Sequence, residues 1–190
     1  MLFRSGAGSE TDTWPLALNA ALGMKTRLIT GYLGTKETFM AMETGETHGR
    51  CGMSLSSLHA AKPDWIKDNK INYLLQIGAE RNPTLGNTPY VFDLLTNPDD
   101  RAMFELMMIG TTLGRPFAAP PGTPRERVDV LRKAFDATMK DPAFLAEARQ
   151  MDADITPTPG EEVQRMMAKT YAAPKAVIDR VKALVHGGAK

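Results

Sequence analysis

Two short stretches hold the residue types best suited to chemistry. The first is GAGSETDTWP, residues 6–15, where two glycines are followed by hydroxyls and acids. A glycine turn entering a helix leaves backbone N–H groups pointing outward, with the positive end of the helix dipole behind them. Ser9, Thr11 and Thr13 add hydroxyl donors, and with the N–H groups around Gly8 they suit a carboxylate or a phosphate. The ordinary alternative is that Ser9 or Thr11 only caps its own helix. Glu10 and Asp12 oppose a bare anion unless they point away or read a polar group on a ligand. No Gly-Lys-Ser/Thr follows, so this is not a nucleotide P-loop, and the glycine spacing fails the dinucleotide pattern. The second stretch is GYLGTKE, where Tyr32, Gly34 and Thr35 form a turn between an apolar segment and a helical one. Two such turns at the carboxyl ends of neighbouring strands would face one crevice.

Nucleophilic and metal chemistry find less support. Cys51 and the serines Ser54, Ser56 and Ser57 are candidate nucleophiles, with His48 or His59 as a base. None sits in a nucleophile elbow, and Cys51 in an apolar segment reads as a small packed residue. His48, His59 and His186 lack metal-ligand spacing. Most of the twelve methionines fall at helical spacing, as core residues do.

Composition bounds the rest. The chain has 190 residues, 43% hydrophobic and 24% charged, with a formal net charge of +1. That is the make-up of one globular domain or parts of two. No basic tract points to nucleic acid. A single cysteine excludes an internal disulfide framework and a thiolate zinc cage. No apolar run is long enough to span a bilayer, and no basic-then-apolar leader opens the sequence. MLFRS runs straight into the glycine turn with neither a cap nor a strand. The expectation is that residues 1–5 are foreign and that the chain is a fragment.

The elements that would position these residues alternate at first. A helix is predicted over Asp12–Leu22, ended by Gly23, and a strand over TRLITGY (26–32). A second helix follows Gly34-Thr35, and GRCGMSLSS (49–57) reads as a short buried strand or loop. INYLLQIG (71–78) reads as a strand of a parallel sheet covered on both faces. This alternation argues for an α/β layered domain. Beyond it, NPDDRAMFELMMIG is predicted helical, and residues 114–124 read as a strand followed by a stiff Pro/Gly connector. A helix carrying Val128, Leu131, Phe135 and Met139 on one stripe comes next, then a helix at DPAFLAEARQM. A short strand in DADITPTP and two final helices separated at Pro174 complete the chain.

The ordered motifs resemble the substrate-binding receptors of tripartite tricarboxylate transporters, the TctC or Bug family, from about Gly6 to the C-terminus. The matching motifs are GAGSETDT, Tyr32-Leu33-Gly34-Thr35, Gly45-Glu46-Thr47-His48, the loop from Arg81 to Pro89, Ala119 to Pro124 and Asp141-Pro142-Ala143-Phe144. The resemblance implies a two-lobed type II periplasmic-binding-protein fold. Residues 6–113 would be an incomplete second lobe, a partial parallel or mixed sheet flanked by helices. Residues 114–190 would return to the first lobe as mainly helical segments. It also implies a periplasmic receptor, without cofactor, metal or catalysis. Such a receptor delivers a small organic carboxylate (a di- or tricarboxylate, an aromatic acid or an amino acid) to membrane permease subunits. Ser9, Thr11 and Thr13 would hold ligand oxygens with the N–H groups from Gly8 to Thr11. Gly34 and Thr35 would line the half-site, supported by Tyr32. His48 stands where the family usually has aspartate, and Asp12 where many members have histidine, so both departures bear on ligand charge. Two other readings stay open: a small α/β hydrolase or transferase using Ser54 or Cys51, and an interaction module built on the Met-rich helix around Phe104–Ile109.

Overall fold

The computed structural model describes residues 2–3, 10–113, 116–151, 153 and 155–187, with no side-chain description at residues 2–3 and 186–187. In chain order the elements are β1 (Leu2–Phe3), α1 (Glu10–Leu22), β2 (Leu28–Ile29), α2 (Thr35–Glu43), α3 (Leu55–Ala61) and α4 (Pro63–Lys67). After a single 3₁₀ turn at Pro83–Leu85 come α5 (Val91–Leu94), α6 (Pro98–Leu113), α7 (Arg125–Thr138), α8 (Pro142–Gln150), α9 (Gly160–Tyr171) and α10 (Lys175–Gly187).

Local sequence explains the helix starts. Ser54 accepts from the Ser57 N–H at 3.2 Å and caps α3. Asn97 accepts from the Asp99 N–H at 2.8 Å at the head of α6. Asp141 accepts from the Phe144 N–H at 2.9 Å at the head of α8, where Pro142 occupies the first turn. Each side-chain oxygen satisfies an N–H that the helix itself cannot. Gly23, at φ +64°, follows the end of α1 as predicted.

The expected α/β fold is not what forms. Among the described residues the only sheet is one parallel pairing of two-residue strands, Leu2 with Leu28 and Phe3 with Ile29. The partial sheet of a periplasmic-binding-protein second lobe is therefore absent, and the protein is mostly helical. INYLLQIG makes no strand. It touches a ladder once, at the bridge between Gln76 and Tyr90. The physical reason lies in its neighbours. A parallel strand needs partners for its N–H and C=O groups on at least one edge. Here Leu75 and Ile77 pack on a helical core, while Leu74 is left 76% exposed. The strand predicted over 26–32 shrinks to Leu28–Ile29 for the same lack of partners. Residues 49–57 give a loop and the start of α3, because Ser54 offers a helix cap. No strand forms among the described residues of 114–124 or of DADITPTP.

Two apolar clusters organise the helices. In the first, Trp14, Ala17 and Leu18 of α1 meet Met103, Phe104 and Met108 of α6, with Val91 and Leu95 beside them. Val177, Val181 and Leu184 of α10 pack against it, and Arg180 of α10 pairs with the largely buried Asp100 of α6. The second cluster joins Phe39 of α2, Leu58 of α3 and Trp65 of α4.

Candidate functional site

The first turn of α1 is turned inward. Thr11, Asp12 and Thr13 are all buried, Asp12 completely. Glu10 at the helix start is exposed and accepts a hydrogen bond from the Thr111 hydroxyl of α6 at 3.0 Å. Gly8 and Ser9 lie outside the described residues.

The segment from Thr47 to Gly52 connects this turn to α2. Its start is anchored where the Thr47 N–H donates to the Ala41 carbonyl at 3.0 Å. The Thr47 hydroxyl is buried and has no hydrogen-bond partner among the described residues. Arg50 is half-buried, and its Nη1 donates to the Thr38 hydroxyl oxygen at 3.0 Å. Thr38 in turn donates to the Thr35 carbonyl at 2.6 Å. The Arg50 guanidinium also lies 5.6 Å over the Phe39 ring, a cation–π arrangement. Burial lowers the Arg50 pKa from its usual value, because the charge has lost part of its water. Gly52 then presses on α1: a Cβ there would sit 2.9 Å from both the Glu10 carbonyl carbon and the Thr11 nitrogen. Its φ of +71° is a further reason for glycine.

The second turn is arranged differently. Gly34, in extended conformation, precedes α2 without a side-chain cap, and Thr35 is exposed. The Tyr32 hydroxyl donates to Glu46 Oε1, joining the loop before α2 to the turn after it. That hydrogen bond is the main reason the Tyr32 pKa is pushed up to about 12. His48 is exposed, between buried Thr47 and half-buried Arg50.

The structure thus brings the start of α1, at Glu10 and Thr11, against Gly52, and Arg50 reaches Thr38 of α2. Thr35 and His48 stay at the surface, and Tyr32 is engaged with Glu46. Sequence reasoning missed Arg50 and Thr38. The sequence offers no clear signal for either, since GRCG follows the polar run GETH and precedes MSLSS.

The proposed nucleophiles have structural occupations. Ser54 caps α3 and donates to Ser57 Oγ at 2.7 Å. Burial is the main cause that pushes the Cys51 thiol up to about 11, so it stays protonated at neutral pH, the opposite of an activated thiolate. His59 lies exposed in the last turn of α3. In the Met-rich helix, Met103, Phe104 and Met108 are core residues. No group of three or more His, Cys, Asp or Glu among the described residues could hold a metal ion. No helix among them is long and apolar enough to cross a membrane.

No family model, curated protein or solved structure matches the chain.

Proposed function

We propose that the chain binds a small organic carboxylate, as part of a periplasmic solute receptor that hands its ligand to membrane permease subunits. The observation that carries this reading is the half-buried Arg50 guanidinium, held by Thr38 and linked through Gly52 to the first turn of α1. A guanidinium presents a planar fork that matches a carboxylate, and partial burial strengthens the pairing. The Thr38 hydroxyl that accepts from Arg50 and the buried Thr47 hydroxyl, three residues before that arginine, supply neutral polar groups in the same segment. A carboxyl such as Asp12 at the start of α1 favours a ligand that carries a hydroxyl or amino group next to its carboxylate over a bare anion. The ordered motifs that resemble the tricarboxylate-transporter receptors support the receptor role. The helical fold does not contribute to it, so the reading rests on site chemistry and on those motifs.

Calorimetric titration tests it. The folded chain is titrated with citrate, succinate, benzoate and glutamate at millimolar concentration. At least one should release or absorb heat with saturation. Arg50→Gln should weaken that ligand about tenfold or more, the loss of one charge-assisted hydrogen bond. No saturable heat from any carboxylate, with the chain folded by circular dichroism, would sink the proposal.

A further inference from the structure

A long, flexible side chain makes a poor recognition group unless something holds it still. Immobilising an arginine at the moment of binding weakens affinity by about two- to tenfold. Where neighbours have already fixed the side chain, that loss falls on folding instead.

Arg50 is held by two adjacent residues of α2. Its Nη1 donates to the Thr38 hydroxyl at 3.0 Å, and its guanidinium carbon lies over the Phe39 ring, 5.6 Å from the centroid. A cation over a ring face is attracted to it, more strongly where water is excluded, and Thr38 and Phe39 are both buried. The Phe39 ring is itself braced. It meets Trp65 of α4 edge to face, with centroids 5.0 Å apart and planes at 63°. Leu58 of α3 completes the buried cluster. Trp65 is tied back to α2, since its Nε1 donates to Glu43 Oε1 at 3.2 Å, one turn beyond Phe39 on that helix.

We propose that Phe39 is the positioning residue of the Arg50 site: its braced ring, with the Thr38 hydroxyl, fixes the guanidinium before any carboxylate arrives. Its effect on binding rests on the carboxylate reading above; its effect on Arg50 in the unliganded chain does not. Helices α3 and α4 then serve as a mount, holding the ring that holds the arginine.

Nuclear magnetic resonance of the unliganded chain, with labelled arginine side chains, tests the fixing of Arg50. The Arg50 lines, assigned by their loss in Arg50→Gln, should show cross-relaxation with the Phe39 ring protons and a ring-current displacement. Phe39→Leu keeps an apolar side chain in the cluster and should return those lines to the positions of an exposed arginine. Leu58→Ala opens the same cluster from α3 but leaves the ring, so the displacement should survive although the fold is destabilised. Calorimetry with citrate, succinate, benzoate and glutamate then reads the consequence. Phe39→Leu should weaken whichever of the four binds by about two- to tenfold, less than Arg50→Gln, with Leu58→Ala close to wild type. Absence of cross-relaxation between Phe39 and Arg50 in the wild-type chain overturns the proposal without any variant. Unchanged affinity in Phe39→Leu overturns it too, as does equal weakening in Leu58→Ala, which would make Phe39 a core residue only. Silence from all four acids would sink the carboxylate reading instead, and the resonance data would still decide whether Phe39 fixes Arg50.

Discussion

Gly52 offers the sharpest test of how the site is assembled, because Gly45 supplies an internal control. Both glycines have positive φ, +71° and +76° respectively. A side chain in that conformation costs about 1–2 kcal/mol, partly offset by the smaller unfolded-state entropy of alanine. A Cβ on Gly45 meets nothing within 4 Å, so Gly45→Ala should cost about 1 kcal/mol. A Cβ on Gly52 meets the Glu10 carbonyl carbon and the Thr11 nitrogen at 2.9 Å, and the Glu10 oxygen at 3.1 Å. These are backbone atoms of a helix and cannot swing aside. Overpacking of this kind adds about 1–3 kcal/mol, so Gly52→Ala should lose about 2–4 kcal/mol in all. Urea unfolding followed by tryptophan fluorescence measures both, with Trp14 and Trp65 reporting from the two apolar clusters. The denaturant slope should stay the same in both variants. Equal losses in the two variants would refute the close packing of the Arg50–Gly52 segment on α1. That packing sets the segment carrying Arg50 against the start of α1, where Thr11 is buried.

Other outcomes follow from the same geometry. Phe104→Ala empties the centre of the first cluster, where Phe104 lies 5.7 Å from the Trp14 ring, and should cost about 3–5 kcal/mol by chemical denaturation. Arg180→Ala strands the largely buried Asp100 carboxylate and should cost about 1–3 kcal/mol, with Arg180→Lys recovering part of the loss. Cys51 should react slowly with a thiol-specific disulfide reagent at pH 8 in the native chain and quickly once unfolded. Fast native labelling would contradict its burial. Because its folded pKa is raised to about 11, the stability it contributes is fully present below the ordinary thiol pKa. It is lost as pH rises through about 11, and Cys51→Ala should flatten that alkaline decline.

The helices were largely legible because their signals are local. Asn97, Asp141-Pro142 and Gly23 mark ends that depend only on adjacent residues. The apolar spacing of α1, α6, α7 and α10 likewise does not depend on what they pack against. The strands were less legible, because a strand is defined by a partner: of the stretch 26–32 only Leu28–Ile29 finds one. Ile71–Gly78 has the composition of a buried parallel strand, yet only Gln76 finds a bridge, and Leu74 faces solvent. The site divided along the same line. Thr11, Asp12 and Thr13 were singled out by their place at a helix start, and they are drawn inward there. Arg50 and Thr38 meet across twelve residues of chain, and no local pattern announces that contact. The serine cluster at Ser54 was ambiguous in sequence for the opposite reason. A helix cap and a nucleophile use the same hydroxyl, and only the Ser57 N–H beside it decides between them.

The most direct test of the central claim is amide nuclear magnetic resonance of the ¹⁵N-labelled chain during titration with the carboxylate that calorimetry selects. The account predicts saturable shifts gathered at Thr11–Thr13, Thr38 and Thr47–Gly52, absent from the Arg50→Gln spectrum. Shifts that are missing at saturating ligand, or that fall elsewhere and persist in Arg50→Gln, would contradict a carboxylate site at this junction.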